Sequence, residues 1–128
     1  MAILVGLDLT PVSRVAEVLE RFRERFLARV FVPGEIHGGR RHPRAFAEHV
    51  AGRFAAKEAA MKALGTGWRG IAFREIAVLR DPRGKPTLEL TGRAAARARQ
   101  LGVIESEVSI THTKDLAAAV VVLVTERK

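Results

Sequence analysis

The segment EVSITHTKDLAAAVVVLVTE, residues 107–126, decides how the chain is built. It reads as two strands, EVSITHT and LAAAVVVLVTE, around Lys114 and Asp115. A connection that short turns the chain back on itself, because parallel neighbours need a crossover of a dozen residues or more. A second pair obeys the same rule: IAFREIAVLRD and KPTLEL flank the turn DPRG at 81–84.

Working outward, TGRAAARARQLG (91–102) reads as an alanine-rich helix stopped by Gly102, and AILVGLDL (2–9) as a strand. TPVSRVAEVLERFRERFLARVF (10–31) reads as a helix. Thr10 is a candidate N-cap and Pro11 suits the first turn. Val15, Val18, Leu19, Phe22 and Phe26 recur at helical spacing and mark a core face. VPGEIHGGRRHPR is a loop made basic by Arg40, Arg41 and Arg44. A second helix runs from about Ala45 to Leu64, with Phe46, Val50, Phe54, Met61 and Leu64 as its apolar stripe and Gly65 as its stop. The order β-α-α-β-β-α-β-β with short connections predicts one α+β domain over residues 1–128, its sheet mainly antiparallel and packed with helices.

The chain has 128 residues, enough for one domain, and 22 Lys plus Arg against 14 Asp plus Glu, a net charge of +8. That surplus favours polyanionic partners: nucleic acid, phosphorylated ligands or an acidic protein. The absence of cysteine excludes disulfides, thiolate metal sites and a cysteine nucleophile. The N-terminus MAILVGLDLT has neither the basic region of a signal peptide nor the length of a membrane span, so a cytoplasmic protein is expected.

Five sets of residues invite a chemical reading, each beside a plainer one. Asp8 ends the first strand, as a simple strand-end or cap residue or as a ligand. Glu58 and Lys62 stand four apart on the second helix, as a common stabilising pair or as groups facing a substrate. Together Asp8 and Glu58 offer two hard oxygen ligands of the kind Mg²⁺ accepts when water and phosphate oxygens complete its shell. Arg14, Arg21 and Arg25 fall on one side of the first helix, either a solvated face or a docking ridge. His112 and Thr113 close a strand, an ordinary strand end or a phosphate contact. Finally, Lys57 falls within the apolar stripe, where an ammonium must snorkel or find an anion.

These residues resemble, in order along the chain, the holo-acyl-carrier-protein synthases, the small trimeric bacterial 4′-phosphopantetheinyl transferases. GLDL resembles the family's N-terminal Gly-x-Asp segment, and RFAAKEAAMKALGTG (53–67) its Lys-Glu-Ala signature with Ala-Leu-Gly-Thr-Gly. GKPTLELTG resembles its Gly-Lys-Pro segment and VSITHTKDLAAA its Ser-Ile-Ser-His motif, with Thr111 in place of the second serine. The loop VPGEIHGGRR departs from the family, being richer in Gly and Arg than the usual helical, acidic segment.

The resemblance implies transfer of 4′-phosphopantetheine from coenzyme A to a serine of apo-acyl carrier protein in fatty acid biosynthesis, releasing adenosine 3′,5′-bisphosphate. It implies Mg²⁺ held by Asp8 and Glu58, with Lys62 at the leaving phosphate and Glu58 as the serine's base, directly or through a water. Arg53 and His112 would hold coenzyme A phosphates, helped by the 40–44 loop, while Gly65 and Thr113 would line the cofactor cleft. Arg14, Arg21 and Arg25 would dock the acidic carrier, and the chain would form a homotrimer with active sites between subunits, so that Asp8 and the Glu58 helix need not share a chain. Two rival readings are a basic nucleic-acid-binding domain, motivated by the +8 charge alone, and a silent carrier-binding module.

Overall fold

The computed structural model describes residues 1–38, 41–67 and 70–126, so Arg40 of the basic loop lies outside the described residues. The expected order is observed: β1 (Ala2–Pro11), α1 (Val12–Val30), α2 (Pro43–Leu64), a 3₁₀ turn (Phe73–Glu75), β2 (Ile76–Arg80), β3 (Pro86–Leu90), α3 (Gly92–Leu101), β4 (Val103–His112) and β5 (Leu116–Thr125). All strand pairing is antiparallel, in a three-stranded sheet β1-β5-β4 and a β2-β3 hairpin.

Helix α2 is the centre of the molecule. Fourteen of its residues are buried, including Ala51, Gly52, Ala55, Ala56, Ala59 and Ala60, so it is enclosed on most sides rather than amphipathic. Small residues permit this: they let backbone approach backbone, and a Cβ on Gly6 of β1 would run into the carbonyl of Ala59. At the other end of the contact, a Cβ on Gly52 would lie 2.8 Å from Ile110 of β4. The helix therefore crosses the sheet, its first half against β4 and its second half against β1. Gly65 ends it with a left-handed φ of 77°.

Strand β5 alternates strictly: Ala117, Ala119, Val121 and Leu123 are buried on the α2 side. The opposite face of the sheet is apolar as well. Ile3, Val5, Leu7 and Leu9 are 57–62% exposed, directly across from Val124, Val122, Val120 and Ala118 of β5.

Three details differ from the sequence expectation. Thr10 is not an N-cap: it stays in the β1 ladder opposite Ala117, its hydroxyl donates to Asp8 Oδ2 (3.0 Å), and the N–H of Val12 is satisfied instead by the carbonyl of Asp115 (2.9 Å). Phe22 is not core: its backbone leaves the helical region (φ −135°, ψ 32°), which kinks α1 and leaves the ring half exposed. The strand expected over 71–81 begins only at Ile76, because Phe73–Glu75 form the 3₁₀ turn.

Candidate active site

The period of two along β1 sends Leu4, Gly6, Asp8 and Thr10 to the α2 side. Asp8 thereby meets Lys62, whose ammonium donates to Asp8 Oδ1 (3.1 Å) and to the carbonyl of Leu7 (3.0 Å). The second carboxylate oxygen takes the Thr10 hydroxyl. Lys62 stays 55% exposed while Asp8 is 11% exposed, so the pair stands at a wall with one side open to solvent. Glu58, one turn before Lys62, lines a groove of about 130 Å³ with Leu9, Thr10, Arg14 and Phe54. Within one chain Asp8 and Lys62 are thus in contact, with Glu58 one helical turn before Lys62 on a groove that also takes Leu9 and Thr10 from the Asp8 strand. A larger cleft, about 850 Å³, lies between α1, the start of α2 and Lys114–Asp115, and includes none of Asp8, Glu58 and Lys62.

The donor chemistry fits a hard divalent cation. Among the described residues no group of three or more His, Asp or Glu gathers to enclose a metal. Two carboxylates with water and phosphate completing the shell is the pattern Mg²⁺ favours. A cation at Asp8 would compete with Lys62 for Oδ1 and so free the ammonium for a neighbouring phosphate.

A second cluster occupies a different part of α2. His112, on the inner side of β4, places Nδ1 2.8 Å from Glu48 Oε1. Arg53 is buried and its Nε has no hydrogen-bond partner among the described residues. Burial pulls its pKa down, Arg80 adding to this and Glu35 opposing it. His49 is pushed down to about 4, first by burial and then by the positive neighbours Arg53, Arg80, His37 and His112. It is therefore neutral at pH 7, and its Nε2 accepts the backbone N–H of His37 (3.0 Å). Arg53 and Glu58 are five residues apart, hence about 140° around the helix, on nearly opposite faces.

The other expected residues are less concentrated. Gly65 is exposed at the end of α2, beside Arg97, whose Nε caps the carbonyl of Leu64 (3.0 Å). The Thr113 hydroxyl accepts from the N–H groups of Asp115 and Leu116 and so builds the β4–β5 turn. Arg14, Arg21 and Arg25 are all exposed on α1. Lys57 is wholly buried and paired with Glu35 at 2.9 Å.

With that arrangement established, the family model described as the 4′-phosphopantetheinyl transferase superfamily matches residues 4–121. The chain belongs to this superfamily. It is 46% identical over 124 residues to the holo-[acyl-carrier-protein] synthase of Solibacter usitatus, covering 96% of this chain and 98% of that one. Identity to the synthase of Solidesulfovibrio magneticus is 48% over 120 residues, covering 93% and 95%. Among solved phosphopantetheinyl transferases, the ACPS–CoA complex of Chronobacterium ammoniagenes aligns with TM-score 0.80 at 38% identity, covering 99% of this chain and all of that one. The Helicobacter pylori synthase in complex with coenzyme A aligns with TM-score 0.80 at 29% identity, covering 94% and 100%.

Sequence reasoning did not single out Glu35, Glu48, His49 or Arg97, and it took Thr10 only as a helix cap. Only Glu35 had a signal, the buried Lys57 that demands an anion, and nothing in the sequence says which carboxylate answers it.

Proposed function

We propose that this chain transfers the 4′-phosphopantetheine arm of coenzyme A to the serine hydroxyl of an apo-acyl carrier protein. The observation that carries this reading is the Asp8–Lys62 pair at the β1–α2 contact, with Glu58 one helical turn before Lys62, in a member of the superfamily that does this chemistry. Asp8 and Glu58 would hold Mg²⁺, which when bound would supply charge neutralisation for phosphate transfer. The carrier serine oxygen attacks the phosphorus that bears the pantetheine arm. A new P–O bond forms and the bond to the bridging oxygen breaks, releasing adenosine 3′,5′-bisphosphate. Glu58 receives the serine proton, directly or through a water. Lys62, released from Asp8, stabilises or protonates the leaving phosphate.

Arg53 and His112 bind further phosphate oxygens of coenzyme A. The unpartnered Nε of Arg53 and the orientation of His112 by Glu48 support this. The 41–44 loop adds positive charge, and Gly65 and Thr113 border the cofactor.

Arg53 and Glu58 lie on nearly opposite sides of α2, which favours sites completed by a neighbouring copy. The apolar outer face of β1 and β5 supports such assembly, because a contiguous exposed apolar surface marks an interaction site. We read it as the interface of a homotrimer. Light scattering should give three chains per particle, and Val5→Glu should give a monomer.

The exposed Arg14, Arg21 and Arg25, with the half-exposed Phe22 among them, suit an acidic helical partner. The carrier expected is that of fatty acid synthesis, in the cytoplasm; no helix among the described residues is long and apolar enough to cross a membrane. The decisive assay is the intact mass of an apo-acyl carrier protein after incubation with the chain, coenzyme A and Mg²⁺. The expected outcome is one added phosphopantetheine arm, and an unchanged mass beside an active control overturns the reading for that carrier.

A further inference from the structure

Lys57 and Glu35 are the two charged side chains most deeply buried in the described structure, and the transfer chemistry above uses neither. Their bonds are complete. Lys57 donates three times: to Glu35 Oε2 (2.9 Å), to the carbonyl of Phe73 (3.0 Å) and to the carbonyl of Ile76 (2.7 Å). An ammonium has three donors, so none is left for a phosphate. The ring of Phe31 lies 4.9 Å from the charge. Glu35 accepts from the N–H of Val32 at Oε2 (2.7 Å) and from the N–H of Val78 at Oε1 (2.7 Å). One ion pair therefore ties together the end of α1, the loop that follows it, α2, the 3₁₀ turn and β2.

Its position gives this a consequence. Glu35 stands two residues before His37, whose N–H is bonded to His49, and the basic loop continues from there to the start of α2. Lys57 is one turn beyond Arg53 on the same side of α2 and adjacent in sequence to Glu58. We propose that the Glu35–Lys57 pair is a positioning clamp: it fastens the loop after α1 against α2 and β2, and so holds His37 on His49 and shapes the basic pocket that His37, Arg41, His42, His49 and Arg80 line, one turn of α2 before Arg53, for the phosphates of coenzyme A. Lys57 thereby acts through the loop and touches no substrate. The inference rests on the transfer reading only for the identity of the ligand being positioned.

Bulk alone does not make such a clamp. An apolar pair of similar size can fill the space and often restores stability, but it cannot hold the amides of Val32 and Val78 through one carboxylate. The full-length variants Glu35→Leu/Lys57→Met and Glu35→Gln, with the parent, separate the two roles. Coenzyme A binding is measured by calorimetry, the Michaelis constants for coenzyme A and carrier protein by turnover, and loop closure by amide hydrogen exchange.

In the parent, the Val32 and Val78 amides should exchange at least a hundredfold more slowly than exposed loop amides. In the double variant, residues 32–38 should exchange at least tenfold faster than in the parent. Coenzyme A should bind at least tenfold more weakly, while the Michaelis constant for the carrier stays within twofold. A folded double variant with parental coenzyme A binding and parental exchange overturns the clamp. If no variant folds, the parent still decides: unprotected Val32 and Val78 amides overturn it. Failure of the parent to modify any carrier would strike the transfer reading and leave the exchange result to judge the clamp.

Discussion

Lys57 and Lys62 lie five residues apart on α2, and each holds a carboxylate at nearly the same distance, 2.9 Å to Glu35 and 3.1 Å to Asp8. What separates them is water. The first pair is wholly buried, with all three ammonium donors bonded to protein. The second is 55% exposed at the lysine and lies one helical turn from Glu58, which lines an open groove. Burial turns the first pair into architecture, because exchanging its partner for solvent is not possible without opening the core. Exposure leaves the second pair exchangeable, and an exchangeable ammonium beside two carboxylates is what phosphate chemistry requires. A lysine and a carboxylate in contact therefore do not define a role until their surroundings are known.

The largest effect should come from breaking the buried pair on one side only. Lys57→Met leaves Glu35 charged without its ammonium and should lower unfolding stability by about 3–5 kcal/mol, read as a shift of the urea midpoint. The matching change at the exposed pair should do the reverse. Lys62→Ala should change stability by less than about 1 kcal/mol yet cut kcat by about a hundredfold. If Lys62→Ala unfolds the protein, or Lys57→Met is fully stable, the contrast collapses.

His49 probes the buried side by pH. Its folded-state pKa of about 4 lies below the ordinary 6.5. Between those values the unfolded chain binds a proton that the folded chain resists, so the stability is fully present above pH 6.5 and is lost as pH falls toward 4. Allowing for its partial contact with solvent, the loss should be about 1–2 kcal/mol over that window, and His49→Gln should flatten it in denaturant titrations. The exposed extreme is the α1 ridge. Replacing Arg14, Arg21 and Arg25 with Glu should raise the Michaelis constant for the carrier about tenfold at low salt and much less at high salt, with coenzyme A binding unchanged.

The sequence made some of this legible. The two-residue connection at Lys114–Asp115 required antiparallel pairing, but β5 is apolar at both phases, so only the structure shows which of its residues face in. Position on a helix face placed Lys57 among apolar neighbours before its partner was known. What could not be read is long-range. That Glu35 answers Lys57, and Glu48 orients His112, depends on the path of a loop and the crossing of α2 over the sheet, neither of which leaves a local periodicity. Thr10 was misjudged for a related reason. A threonine before a proline suits a helix cap, but ladder pairing with Ala117 and a bond to Asp8 held it in the strand. Phe22 had core spacing, and the kink at its own backbone turned it outward.

The central claim is that Asp8, Glu58 and Lys62 form the centre that transfers phosphopantetheine. The most direct measurement follows carrier-protein mass over time with parent and Glu58→Gln side by side, at saturating coenzyme A and Mg²⁺, with thermal unfolding recorded for both. We expect the parent to convert the carrier and Glu58→Gln to lose most turnover while melting within a few degrees of the parent. Full activity in the folded Glu58→Gln variant would contradict the account.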